Sequence, residues 1–110
     1  MASAPSQTPM EDAIRRKVTE TFQPITLEIH NDSHKHAHHN AMKGSTSRET
    51  HFRVSVTSDA FKGKMQPARH RMVYHLFKDE MAAEGGIHAL QLTTRTSDEE
   101  AQMKAKQAAS

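Results

Sequence analysis

The sequence predicts an α+β domain: a three-stranded mixed sheet with helices packed on one face, in the order α-β-β-α-β-α. Two observations carry most of that prediction. Three short segments, ITLEIHND (25–32), THFRVSVTS (50–58) and IHALQLTT (87–94), have the length of strands, and the first two alternate apolar and polar residues. Between and around them lie segments with apolar residues at helical spacing and recognisable start and stop signals. A helix stands between the second and third strands, and such a crossover joins parallel neighbours. No helix separates the first and second strands, so these are expected to be antiparallel.

The elements follow in order. Thr8 is a candidate N-cap, Pro9 suits the first helical position and Glu11 completes a capping box. Ile14, Val18 and Phe22 then recur every fourth residue as one apolar face, and Pro24 ends the helix. In the first strand Ile25, Leu27 and Ile29 point one way. In the second, Phe52, Val54 and Val56 oppose His51, Arg53 and Ser55. Between them runs a polar segment of about 16 residues through Gly44, a length that in a compact domain marks function or disorder. DAFKGKMQ (59–66) reads as a turn around Gly63. Pro67 opens a second helix to Glu84, with Met72, Val73, Leu76, Phe77 and Met81 as its stripe and Gly85 or Gly86 in the left-handed position that closes it. In the third strand His88, Leu90 and Leu92 share one parity. Ser97–Glu100, SDEE, is a capping box that opens a polar C-terminal helix with little to bury and an expectation of fraying. The domain boundaries expected are a disordered tail at 1–7, one domain at 8–96 and a polar helix or tail at 97–110.

Composition narrows the function. The chain has 110 residues, one domain's worth, with five aromatics, so one modest core is feasible. No apolar run approaches the roughly 18–20 residues of a membrane span, so no membrane association is expected. The first ten residues, MASAPSQTPM, lack the apolar stretch of a secretory signal, and no mitochondrial presequence is evident. The absence of cysteine excludes disulfides, thiol catalysis and any thiolate metal centre held by this chain alone. No nucleophile–base pair, paired carboxylates or phosphate loop is present, so no enzymatic activity is expected. The net charge of +2 gives only a weak bias toward anionic partners. Nine histidines are the conspicuous feature, and five of them fall in HNDSHKHAHHNAMKG, His30–Gly44. His30, His51 and His75 occupy polar positions of their elements and receive no site.

The blocks THFRV, SDAFKGK, RHRMVY and GIHAL, in that order and spacing, resemble the BolA family, and the resemblance runs from about Met10 to about Thr96. It implies a class II KH-like fold and a heterodimeric partnership with a monothiol glutaredoxin, this chain being a monomer when alone. In that family the complex holds a bridged 2Fe–2S cluster with glutathione, and the BolA chain supplies nitrogen ligands. Carried onto this sequence, one is the histidine of the HAL motif, His88. The other lies in the segment between the first two strands, where the absence of cysteine resembles the histidine subgroup. Counting from Asn31-Asp32-Ser33 places it at His36, with His34, His38 and His39 as alternative ligands. Two imidazoles in place of two thiolates would raise the cluster potential, as in Rieske centres. The RHRMVY block implies that Arg69, His70 and Arg71 contribute to partner contact, against the plain reading of a solvated helix face. The subgroup is mainly mitochondrial, so the resemblance implies the mitochondrial matrix, with the cytoplasm or nucleus as alternatives.

Two other functions compete. A KH-like fold permits a nucleic-acid-binding transcriptional regulator, but the GxxG loop with which KH domains clamp a backbone is absent and the basic residues are scattered. Adventitious zinc, nickel or copper binding by the histidine tract alone is the other.

Overall fold

The computed structural model describes residues 8–32 and 49–109. Its elements are α1 (Pro9–Phe22), β1 (Thr26–Asn31), β2 (His51–Thr57), α2 (Gln66–Leu76), α3 (Lys78–Ala82), β3 (Ala89–Arg95) and α4 (Ser97–Ala109), with a short 3-10 turn at Asp59–Phe61. The expected tail at 1–7 lies outside the described residues. The strands form one sheet in the order β1-β2-β3. β1 and β2 are antiparallel, with Ile29 opposite Val54, and β2 and β3 are parallel, with Val54 beside Leu92. The expected mixed sheet is therefore present.

One core lies on the helical face of that sheet. Ile14, Val18 and Phe22 of α1 meet Phe52, Val54 and Val56 of β2, together with Phe61, Val73, Phe77, Ile87 and Leu90. The periodicity that predicted α1 is the face it buries. Its N-terminus is finished differently from expectation. Thr8 makes no side-chain capping bond. Instead the Glu49 carboxylate, from beyond β1, accepts the backbone N–H groups of Met10 and Glu11, each at 2.9 Å. A carboxylate there satisfies two orphan donors and meets the positive end of the helix dipole.

The second predicted helix is broken into α2 and α3 at Phe77, whose φ of −104° and ψ of 19° leave the helical region. Phe77 is fully buried, and its N–H is shared between the carbonyls of Val73 and Tyr74. Ile87, beyond α3, also reaches the core. Gly85 adopts the expected left-handed φ of +75°, but beyond the extended cap residue Ala83 rather than at the helix end itself. Gly86 is constrained by space: a Cβ there would stand 2.1 Å from the Glu80 carbonyl oxygen. Gly86→Ala is expected to cost roughly 1–3 kcal/mol, because the blocking atom is backbone and cannot rotate away; the urea midpoint measures it.

The third strand begins at Ala89, two residues later than predicted. That shift explains why Ile87 is buried and His88 exposed, although parity with Leu90 would have placed His88 inward. The C-terminal helix departs most from expectation. The capping box is one residue earlier: the Thr96 hydroxyl accepts the Glu99 N–H at 3.3 Å, and Glu99 Oε1 accepts the Thr96 N–H at 2.8 Å. Glu100, released from capping, accepts hydroxyl bonds from the cross-strand pair Thr26 and Thr57 at 3.1 and 3.0 Å. The Thr57 hydroxyl above all, then that of Thr26, holds its carboxyl below the usual range. The first turn of α4 is thus pinned to the sheet by polar contacts, and only the later turns carry a mostly exposed surface.

Candidate functional site

At one end of the sheet β1 finishes while β2 and β3 begin. Antiparallel and parallel pairing together bring Asp32, His51 and His88 to the same edge. Three backbone bonds fix the corner: the Asp32 N–H donates to the His51 carbonyl at 2.8 Å, and the Thr50 carbonyl accepts the N–H groups of His88 at 2.7 Å and Ala89 at 3.0 Å. His88 is therefore held by its backbone while its side chain is exposed to solvent. The His51 ring stands 6.3 Å from the His88 ring, centroid to centroid, at 68°. Its Nδ1 is hydrogen-bonded to the Thr50 hydroxyl at 2.9 Å. Neighbouring Arg53 forks onto Asp32 at 2.6 and 3.2 Å, a bond that raises the guanidinium pKa and fixes the outgoing end of β1.

His34, His36, His38 and His39 lie outside the described residues. Asp32 departs from the His51 carbonyl, and Glu49 returns onto the start of α1, so both ends of 33–48 are anchored at the corner that carries His88. Among the described residues, no group of three or more histidine, aspartate or glutamate side chains could hold a metal ion. Two imidazoles stand together, which suffices only for a site completed from elsewhere. His51 is the residue the sequence reading passed over. Its polar position in an alternating strand looked solvent-facing, and only the parallel register, which sets it beside Ala89, shows how near His88 lies.

The basic block on α2 divides. Arg71 is exposed and His70 half-buried, as a contact surface requires. Arg69 is 5% exposed and turned inward. Its Nε donates to the Lys64 carbonyl at 2.8 Å, Nη1 to the Thr94 carbonyl at 3.3 Å, and the two Nη atoms fork onto Glu99 at 2.6 and 3.1 Å. The expected partner-facing role of Arg69 is corrected: a guanidinium with these bonds spent locks α2 to β3 and α4. His70 instead borders two clefts along β3, of about 430 and 450 Å³.

The Arg69 fork, with help from the Thr96 N–H, lowers the Glu99 pKa to about 2. A carboxyl with a depressed folded value stabilises the fold fully above its unfolded value near 4.5 and loses that contribution as pH falls through about 2. The melting temperature is therefore expected to fall between pH 4.5 and 2, and Glu99→Gln to flatten that part of the profile. Because the Glu99 side chain is 44% exposed, added salt should weaken the effect.

A protein-family model described as BolA-like protein matches residues 18–99. The UV-induced protein uvi31 of Schizosaccharomyces pombe is 46% identical over 91 residues, which are 81% of this chain and 87% of that one. The DNA-binding transcriptional regulator BolA of Vibrio cholerae is 40% identical over 94 residues, covering 86% of this chain and 81% of its own length. The solved structure of BolA1 from Arabidopsis thaliana covers 89% of this chain and 98% of its own, with a TM-score of 0.71 and 37% identity. The α+β architecture, the order of the sequence blocks and these matches agree: the chain belongs to the BolA-like protein family.

Proposed function

We propose that this chain is the nitrogen-donating half of a 2Fe–2S site shared with a monothiol glutaredoxin, acting in iron–sulfur cluster assembly, trafficking or sensing. The observation that carries the reading is His88: an exposed imidazole on a backbone fixed by Thr50, beside a second imidazole and at the root of the histidine-rich segment. The donor chemistry fits. A chain with no cysteine can give imidazole but no thiolate, and a two-iron cluster needs four ligands, so the partner and glutathione bring the sulfur. The cluster, when bound, supplies one-electron chemistry at a potential raised by neutral nitrogen ligands. This chain's own part is to present His88 without rearrangement, with a second nitrogen that the resemblance puts at His36. Arg71 and His70 offer a polar flank on α2 for the partner. The mitochondrial matrix is the compartment proposed with it.

The test mixes the chain and a monothiol glutaredoxin with iron, sulfide and glutathione. A visible spectrum distinct from that of the glutaredoxin homodimer is expected, and His88→Ala should return it to the homodimer form. A mixture spectrum identical to the homodimer's would end the reading.

The rival is nucleic-acid binding, the activity in the printed name of the Vibrio relative. Its electrostatic basis here is weak: Arg69 is spent internally and Arg53 is paired with Asp32. Salt-sensitive binding of single-stranded oligonucleotides below micromolar would reverse the ranking.

A further inference from the structure

We infer that the outer edge of β1 pairs with β1 of a second copy of this chain, antiparallel about Ile29, giving a weak dimer with one continuous sheet. The inference is independent of the glutaredoxin reading, and it makes the monomer expected of the chain alone one side of an equilibrium. It starts from the two edges of the sheet, β1 and β3, which are treated unequally. An edge strand presents a row of unpaired N–H and C=O groups, and folds either blunt such a row or use it. The β3 edge is blunted by α2. The Tyr74 hydroxyl donates to the Leu90 carbonyl at 2.8 Å, and Gln66 Nε2 and Arg69 Nη1 donate to the Thr94 carbonyl at 3.0 and 3.3 Å. Among the described residues, no side chain does the same for Leu27 or Ile29 on β1.

Strand pairing shows which groups of β1 look outward. The Asp32 N–H donates to the His51 carbonyl, so in the antiparallel ladder Asp32, His30 and Glu28 turn their backbone toward β2. Leu27 and Ile29 alternate with them and turn theirs away. Both are half-buried aliphatic residues, and TLEIHN contains neither lysine nor proline, two common guards of an edge. The strand is also complementary to itself. With Ile29 on a two-fold axis, it exchanges backbone bonds with the partner's Ile29, and Glu28 stands opposite the partner's His30 on both sides of the axis. Glu28 and His30 are exposed, and within one strand Glu28 Oε1 already lies 3.5 Å from His30 Nε2, so carboxylate and imidazole suit each other's reach. Other registers fit worse. An axis at Glu28 would oppose two acids and use groups already bonded to β2. An axis at Leu27 would set Pro24, which has no N–H, opposite His30 and leave Glu28 facing Thr26.

The test is sedimentation velocity of the full chain from micromolar to millimolar concentration, with amide hydrogen exchange read by NMR at both ends of the range. A reversible monomer–dimer equilibrium is expected, as befits a small interface. Exchange should slow in the concentrated sample at Leu27 and Ile29 and stay unchanged at Leu92 on the β3 edge. His30→Glu sets acid against acid twice across the axis and should weaken dimerisation about tenfold in Kd. Adding Glu28→Lys to His30→Glu puts base opposite acid again and should restore it, a rescue that a merely damaged strand would not show. A chain monomeric throughout the range would overturn the inference. So would a dimer that leaves Leu27 and Ile29 exchange unchanged, or one that His30→Glu does not weaken.

Discussion

Phe61→Ala is expected to lower the unfolding free energy by about 3–5 kcal/mol, the range for emptying a fully enclosed aromatic site. Phe61 has no exposed surface and lies on the turn that joins β2 to α2. Its ring packs against Phe22 at 5.2 Å between centroids, tilted by 42°. The Arg69 guanidinium sits 6.0 Å above the same ring. The turn itself is pinned: the Ser58 hydroxyl donates to the Phe22 carbonyl at 2.6 Å and accepts the Ala60 N–H at 3.1 Å. The surroundings therefore have little freedom to collapse into the space left behind, which places the cost toward the upper end. Urea denaturation with an unchanged slope checks it.

Arg69→Ala should cost about 2–4 kcal/mol. The substitution strands the Lys64 carbonyl without its side-chain donor, leaves the Thr94 carbonyl with Gln66 Nε2 alone, and unties α4 from α2. Glu99 offsets part of the loss, since its 44% exposed side chain can return to water. Arg69→Lys should recover less than half, because a single ammonium cannot span two carbonyls and both carboxylate oxygens. Phe61 and Arg69 touch, so the double substitution should cost less than the sum of the two singles. Arg71→Ala, on the exposed side of the same helix, should leave the urea midpoint within experimental scatter. If Arg71→Ala instead destabilises as much as Arg69→Ala, the assignment of inward and outward basic residues is wrong.

The sheet was legible because its signal is local. Alternation in Thr26–Asn31 and His51–Thr57 reports burial directly, and the helix between the second and third strands dictates parallel pairing. What escaped was set by contacts distant in sequence. Both TSDE and SDEE satisfy the capping pattern, and only the Thr26–Thr57 pair reaching for Glu100 selects the first. Glu49 caps a helix 38 residues earlier, which no local pattern encodes. Phe77 belongs to the apolar stripe of its helix by spacing and is buried as the stripe requires, yet its backbone leaves the helical region there. The site divided in the same way. His88 was singled out through a motif, whereas the nearness of His51 to it shows only in the register that sets His51 beside Ala89. Arg69 failed in the opposite direction. A charged residue among charges looks solvated until Glu99, 30 positions on, folds back to it.

The proposed shared site depends on the exposed His88 imidazole that Thr50 fixes at the sheet edge, and one measurement addresses it directly. The imidazole resonances of the full chain are followed by NMR as glutaredoxin loaded with its 2Fe–2S cluster is added. His88 is predicted to broaden beyond detection beside the paramagnetic iron, while exposed His75 on α2 keeps its line. A His88 resonance as sharp as that of His75 in the saturated complex would contradict the account.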